Sequence, residues 1–223
     1  MKRNRLCPLG LVFVLATAVA AQAAPASTLN FSESLKDSIV CERDEGEIWC
    51  DVYTSGSFSI SATFRDVDAS KIDKDTFVSI DMGSSSWGYF FWEDGSFDPR
   101  KKTVKFVEYD YDDFDREICY LIVSIKWNSS SLTVSIKGKT PDYTFPVLAD
   151  YYQYEYTGLI DEIVPATVGL LSGQSEWLID EGFNVHVRGN VTTKEVRKHG
   201  EEYTTSKVAL KGIGEHGIEE PTD

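Results

Sequence analysis

The chain has 223 residues, 22 lysines and arginines against 36 aspartates and glutamates, and a formal net charge of −14. That acidity argues against nucleic acid and anionic lipid surfaces as partners, since both need clustered basic side chains. With 42% hydrophobic and 13% aromatic residues it is a folding sequence, not a disordered acidic one, and it is long enough for one large or two small cores.

Residues 1–24 read as a secretory signal. Lys2, Arg3 and Arg5 form a basic start, Leu6 to Ala21 is almost wholly apolar, and Ala21-Gln22-Ala23 supplies the small-x-small pattern of a cleavage site after Ala23 or Ala24. The apolar run holds Pro8 and Gly10 and falls short of the roughly 20 residues of a membrane span, so no span is expected after cleavage. A periplasmic or extracellular protein follows as the expectation. Losing three basic residues would take the net charge from −14 to −17.

Export changes how the cysteines read, because thiols oxidise in that compartment. A two-residue turn at Glu45-Gly46 pairs Arg43 with Ile48, Glu42 with Trp49 and Cys41 with Cys50. The last pair is non-hydrogen-bonded, with Cα atoms about 4.5 Å apart, close enough for a disulfide. Cys119 lies within the apolar run Ile118 to Val123 and reads as a buried, inert thiol.

Strand signals then follow one another. Ser38 to Glu42 and Ile48 to Tyr53 are the arms of the hairpin, and Ser57 to Phe64 alternates Phe58, Ile60, Ala62 and Phe64 with small polar residues. Further strands are predicted at Thr76 to Met82, Trp87 to Trp92, Thr103 to Tyr109, Glu117 to Trp127 and Ser131 to Lys137, separated by Gly83, Gly95, Pro99 and Asn128-Ser129-Ser130. After a Pro-containing stretch from Thr140 to Asp150 come Tyr151 to Thr157, Ala166 to Leu171, Trp177 to Ile179, Phe183 to Val187, Val191 to Arg197 and Glu202 to Lys211. Gly158 to Val164 has the spacing of a helical turn. The resulting expectation is an all-β protein, a β-sandwich in two consecutive lobes, with a first domain over 25–145, a smaller second β domain over 146–212 and a disordered acidic tail over 213–223.

The stretch Ala62-Thr63-Phe64-Arg65-Asp66-Val67-Asp68-Ala69-Ser70-Lys71-Ile72-Asp73-Lys74-Asp75-Thr76-Phe77 resembles the early strand, polar connection and second strand of bacterial immunoglobulin-like modules. The resemblance extends over 57–92 and implies an Ig-like sandwich of the kind that serves as a spacer, adhesin or carbohydrate-associated domain on exported proteins. It carries no functional residue across.

Chemistry-bearing motifs are sparse. There is no Gly-x-Ser-x-Gly elbow, and His186, His199 and His216 are scattered, so neither a nucleophilic triad nor a zinc site is indicated. Asp110, Asp112, Asp113, Asp115 and Glu117 crowd one connection, which suits either a calcium ion or a solvated acidic loop. Asp66, Asp68 and Ser70 match only the first ligands of an EF-hand loop. The candidate partner-binding residues are aromatic: Trp87 and Trp92 on one strand, and Tyr152, Tyr154 and Tyr156 sharing a strand face, able to stack on sugar rings, anchor a protein or close a junction between lobes. The first reading is a non-enzymatic binding or assembly protein with a protein or carbohydrate partner and no cofactor. The alternatives are a carbohydrate hydrolase using paired carboxylates and a calcium-stabilised structural module.

Overall fold

The computed structural model describes residues 27–90, 97, 99–111, 117–140, 147–153 and 157–216. They form ten strands: β1 (Thr28–Asp44), β2 (Glu47–Arg65), β3 (Phe77–Met82), β4 (Ser85–Phe90), β5 (Thr103–Tyr111), β6 (Glu117–Trp127), β7 (Ser131–Thr140), β8 (Gly158–Leu171), β9 (Trp177–Lys198) and β10 (Glu201–His216). A single helical turn, α1 (Ala149–Tyr152), precedes β8. The fold is all-β, as the period-two patterning predicts. Its organisation differs from two lobes in sequence: all ten strands join one antiparallel sheet in the order β4-β3-β8-β9-β10-β1-β2-β7-β6-β5. The strands after residue 145, β8, β9 and β10, sit as one block between β3 and β1, and β1 pairs with β10 at the centre of the sheet.

The sheet curls so that one face becomes the interior. Along β2, Phe58, Ile60, Ala62 and Phe64 are all buried, and Val185, Val187 and Val191 on β9 and Val208 and Leu210 on β10 join them. Phe64 meets Phe183 edge-on with ring centroids 6.1 Å apart, and Phe58 stacks on Trp87 at 5.3 Å. The two edge strands approach through Tyr89 of β4 and Phe106 of β5, also 5.3 Å apart. Phe58 lies flat over Gly138 of the neighbouring strand, where a Cβ would stand 2.3 Å from the ring.

Two inward positions are occupied by carboxylates. On β1 the buried series runs Leu29, Phe31, Glu33, Leu35, Asp37. Glu33 accepts backbone N–H bonds from Val147 (2.7 Å), Leu148 (2.8 Å) and Ala149 (2.9 Å). Asp37 accepts from the Thr54 hydroxyl (2.8 Å), the Gln153 side-chain amide (2.9 Å) and the Ser206 backbone N–H (2.7 Å). Together they fasten the segment 147–153 inside the curl, with Val147, Leu148, Ala149, Tyr152 and Gln153 all buried. A buried carboxylate is tolerated when its oxygens collect donors in this way. Burial nevertheless raises the Glu33 pKa to about 7, with the three N–H donors pulling it down and nearby Asp150 pushing it up.

The structure departs from the sequence expectation at four places. β1 begins at Thr28, ten residues before the expected strand, because Glu33 and Asp37 interrupt the apolar alternation. Gly158 to Val164 is strand: Leu159 and Ile163 point outward while Ile160 and Val164 point inward, and the two apolar faces together mimic helical spacing. Tyr151 and Tyr152 belong to α1 and not to a strand. At the C-terminal end, β10 continues to His216, so Ile213 to His216 are paired strand residues and only 217–223 lie outside the described chain.

Candidate functional site

The long strands outrun the sheet. β1 pairs with β10 only from Thr28 to Lys36, and β2 with β7 only from Gly56 to Arg65, yet β1 and β2 continue pairing with each other to Asp44 and Glu47. Residues 37–55 are therefore a two-stranded arm. β9 and β10 do the same over 192–206. The arms lie side by side, since Lys198 Nζ donates to the Ile39 carbonyl (3.1 Å) and His199 reaches the disulfide.

An isolated hairpin is marginally stable in water, and the first arm carries its own clamp. Glu45 and Gly46 have positive φ (46° and 95°), the two-residue turn the sequence predicts, and Cys41 and Cys50 face each other across the strands with Cα atoms 4.1 Å apart, joined by a disulfide. Cys41, Cys50 and His199 are the one gathering of three potential metal ligands among the described residues, but sulfurs bonded to each other offer no thiolate.

The arm's other face is exposed and chemically distinct. Register pairs Ser38 with Tyr53, Val40 with Asp51, Glu42 with Trp49 and Asp44 with Glu47, all on the side opposite the sulfurs. Trp49 is 62% exposed, and Val40 and Tyr53 are each 43% exposed. Large apolar groups alternate there with four carboxylates that make no ion pair among the described residues.

This face runs without a break onto the outer surface of the sheet, where the charge reverses. The floor there is hydroxyl-bearing: Ser32 and Ser34 on β1, Ser57, Ser59, Ser61 and Thr63 on β2, Thr133 and Ser135 on β7, with Ser34–Ser57 (3.2 Å) and Thr63–Thr133 (3.1 Å) bonded across strands. Exposed Lys36, Lys137, Lys139, Lys207 and Lys211 rise from it, also without an ion pair among the described residues. Lys36 stands directly opposite Lys207, and Lys211 opposite Arg188, an unfavourable juxtaposition of like charges. A hollow of about 580 Å³ opens over Ser32, Ser34, Ser57 and Ala209, walled by Arg188, Lys211 and Leu159. Leu159, Ile163 and Ile213 are 88%, 70% and 63% exposed on the same surface. The chain's net acidity thus conceals a basic face.

The residues singled out from sequence fall elsewhere. Trp87 is buried against Phe58, and Tyr152 is buried with its hydroxyl donating to Glu162 (2.6 Å), so both pack in the core. Tyr154, Tyr156 and Trp92 lie outside the described residues, as do Asp112, Asp113 and Asp115. Asp110 is the penultimate residue of β5 and Cys119 sits on β6, their side chains outside the description. Asp68 accepts from Ser70 N (3.1 Å) and Ser70 Oγ (2.6 Å), capping the short turn Ala69–Lys71, and these bonds hold its carboxyl below the ordinary range. His186 hydrogen-bonds Asp161 on the outer face, His199 occupies a turn, and His216 pairs with Glu181 at 3.4 Å.

Among the described residues no helix is long and apolar enough to cross a membrane. No known protein-family model matches the chain. A search of curated proteins likewise finds no match.

Proposed function

We propose that this is an exported, non-enzymatic protein that works in binding or assembly, through the acidic aromatic face of its disulfide-clamped arm. The observation that carries the reading is the exposure of Val40, Trp49 and Tyr53 on a two-stranded projection with its own covalent clamp. Exposed aromatics on rigid strands make effective anchors because they bring large contact area at small entropic cost. The clamp contributes nothing to the core, yet it keeps those residues in register when no third strand supports them. The signal at 1–24 and a disulfide that oxidising compartments favour agree with export.

Two further features support binding over hydrolysis. The deeply buried carboxylates, Glu33 and Asp37, each hold three donors from the protein itself. Two hollows lie on the outer surface of the sheet, one over Ser32, Ser34, Ser57 and Ala209 beside Arg188 and Lys211, the other among Ile163, Asn184, His186, Ile213, Glu215 and His216, whereas glycoside hydrolysis needs two carboxylates across a cleft.

Placing a photo-crosslinking amino acid at position 49 in the producing cell tests the reading. A discrete adduct is expected at position 49 and none at buried position 60. Absence of any adduct at 49 would overturn it.

A further inference from the structure

We infer that the partner of the arm is a second copy of this chain, joined as an antiparallel two-fold dimer in which each acidic arm lies on the other copy's basic sheet face. The inference rests on the arm being a binding surface, and it deepens that reading by naming the occupant. Its basis is the order of charge along one continuous surface. From the sheet outward, the outer face of β1, β2 and β10 carries Lys211 beside Ser32, then Lys36 beside Lys207, then Ser38 with Tyr53, then Asp51, and finally Asp44 with Glu47.

A two-fold axis lying across the strands at the Ser38–Tyr53 pair reverses that order on the facing copy. Counting equal numbers of residues either side of Ser38, the Val40–Asp51 row meets the Lys36 row, and Asp51 falls beside Lys36. The Glu42–Trp49 row meets Ser34 and Ser57, which bring Trp49 over the hollow. The Asp44–Glu47 row meets Ser32 and Ser59, whose neighbours across the sheet are Lys211 and Lys137. One register therefore places three acids by three lysines and the most exposed arm aromatic over an open depression. The match happens twice by symmetry, which is how an isologous interface closes on itself.

Size agrees with this geometry. With the axis at Ser38, residues 32–44 of β1 overlap, about 44 Å at the extended rise, and three neighbouring strands span about 14 Å. Their product is about 620 Å² per copy, about 1,200 Å² in total, the lower end of specific interfaces. The interface also supplies a counter-charge for Lys36, which stands opposite Lys207 in the single chain.

Sedimentation and light scattering on the full mature chain, with its disulfide intact, test the inference. The expected result is a particle of twice the chain mass that dissociates as salt rises to about 0.5 M. The variants K36E/K137E/K211E and D44K/E47K/D51K are each expected to weaken self-association about 30-fold or more. Because the first turns the three lysines of the register acidic and the second turns its three acids basic, mixing the two restores a dimer containing one of each. That rescue also shows that both variants are folded. A wild-type chain that stays monomeric at all concentrations, a dimer indifferent to both variants, or an open-ended polymer would overturn the two-fold arrangement. The adduct at position 49 separates the two levels of the argument: chain joined to chain supports the dimer, whereas an adduct to a different molecule keeps the binding function and overturns self-association.

Discussion

Glu33 shows what a single side chain decides here. Its pKa stands at about 7 in the fold against an ordinary 4.5, with burial the largest cause. In the unfolded chain the carboxyl ionises from about pH 4.5, whereas in the fold it holds its proton to about pH 7. The fold therefore binds more protons across that window, and stability falls as pH rises through it, by about 3 kcal/mol in total. Melting the protein at pH 5 and pH 8 should show this loss. Glu33→Gln should flatten the difference while lowering stability at pH 5, since an amide presents an N–H to donors that need an acceptor. An equally steep pH dependence in the variant would show that other groups cause it. Trp49 makes the opposite case: at 62% exposure, Trp49→Ala should leave the stability in denaturant melts within about 0.5 kcal/mol of wild type while removing binding.

The two arms are the elements whose behaviour departs from the rest. Residues 37–55 have sheet partners only in each other, so their stability is local and set by the turn and the disulfide. Cys41→Ser with Cys50→Ser should cost about 2 kcal/mol, the low end expected for a short loop. The loss should be concentrated in the arm: amide exchange over 38–53 should accelerate strongly, while residues 28–36 and 56–65, flanked on both sides, stay protected. Uniform acceleration across β1 would show that arm and sheet open together. By contrast, Phe58→Ala strikes the body of the sheet, removing the stack on Trp87 and the cover over Gly138. About 3–5 kcal/mol should be lost in denaturant melts.

For the molecule as a whole, charge is distributed by position on the fold and not by composition. Glu42, Asp44, Glu47 and Asp51 share the outer face of the first arm, and Lys36, Lys137, Lys139, Lys207 and Lys211 the outer face of the sheet beside it. The net charge of −14 predicts repulsion between copies at low salt, whereas the bipolar face predicts association that salt weakens. These dependences have opposite signs, so a salt series on the wild-type chain distinguishes them without mutagenesis.

The elements legible in the chain were those governed by neighbours in sequence. Period-two alternation gave the all-β class, and the chemistry of Glu45-Gly46 gave the hairpin register and with it the disulfide. From that register alone Val40, Trp49 and Tyr53 could have been placed on one face with Glu42 and Asp51. What the register could not say was that no third strand would cover them. That depended on β1 meeting β10 and β2 meeting β7 for only part of their lengths, and strand neighbours brought together across the whole chain leave no local mark. The same limit explains Glu33 and Asp37, because alternation separates two faces of a strand but only the curl of the sheet selects the inner one. It explains the basic face too: Lys36, Lys137 and Lys211 are far apart in sequence and become one surface only when ten strands take their order.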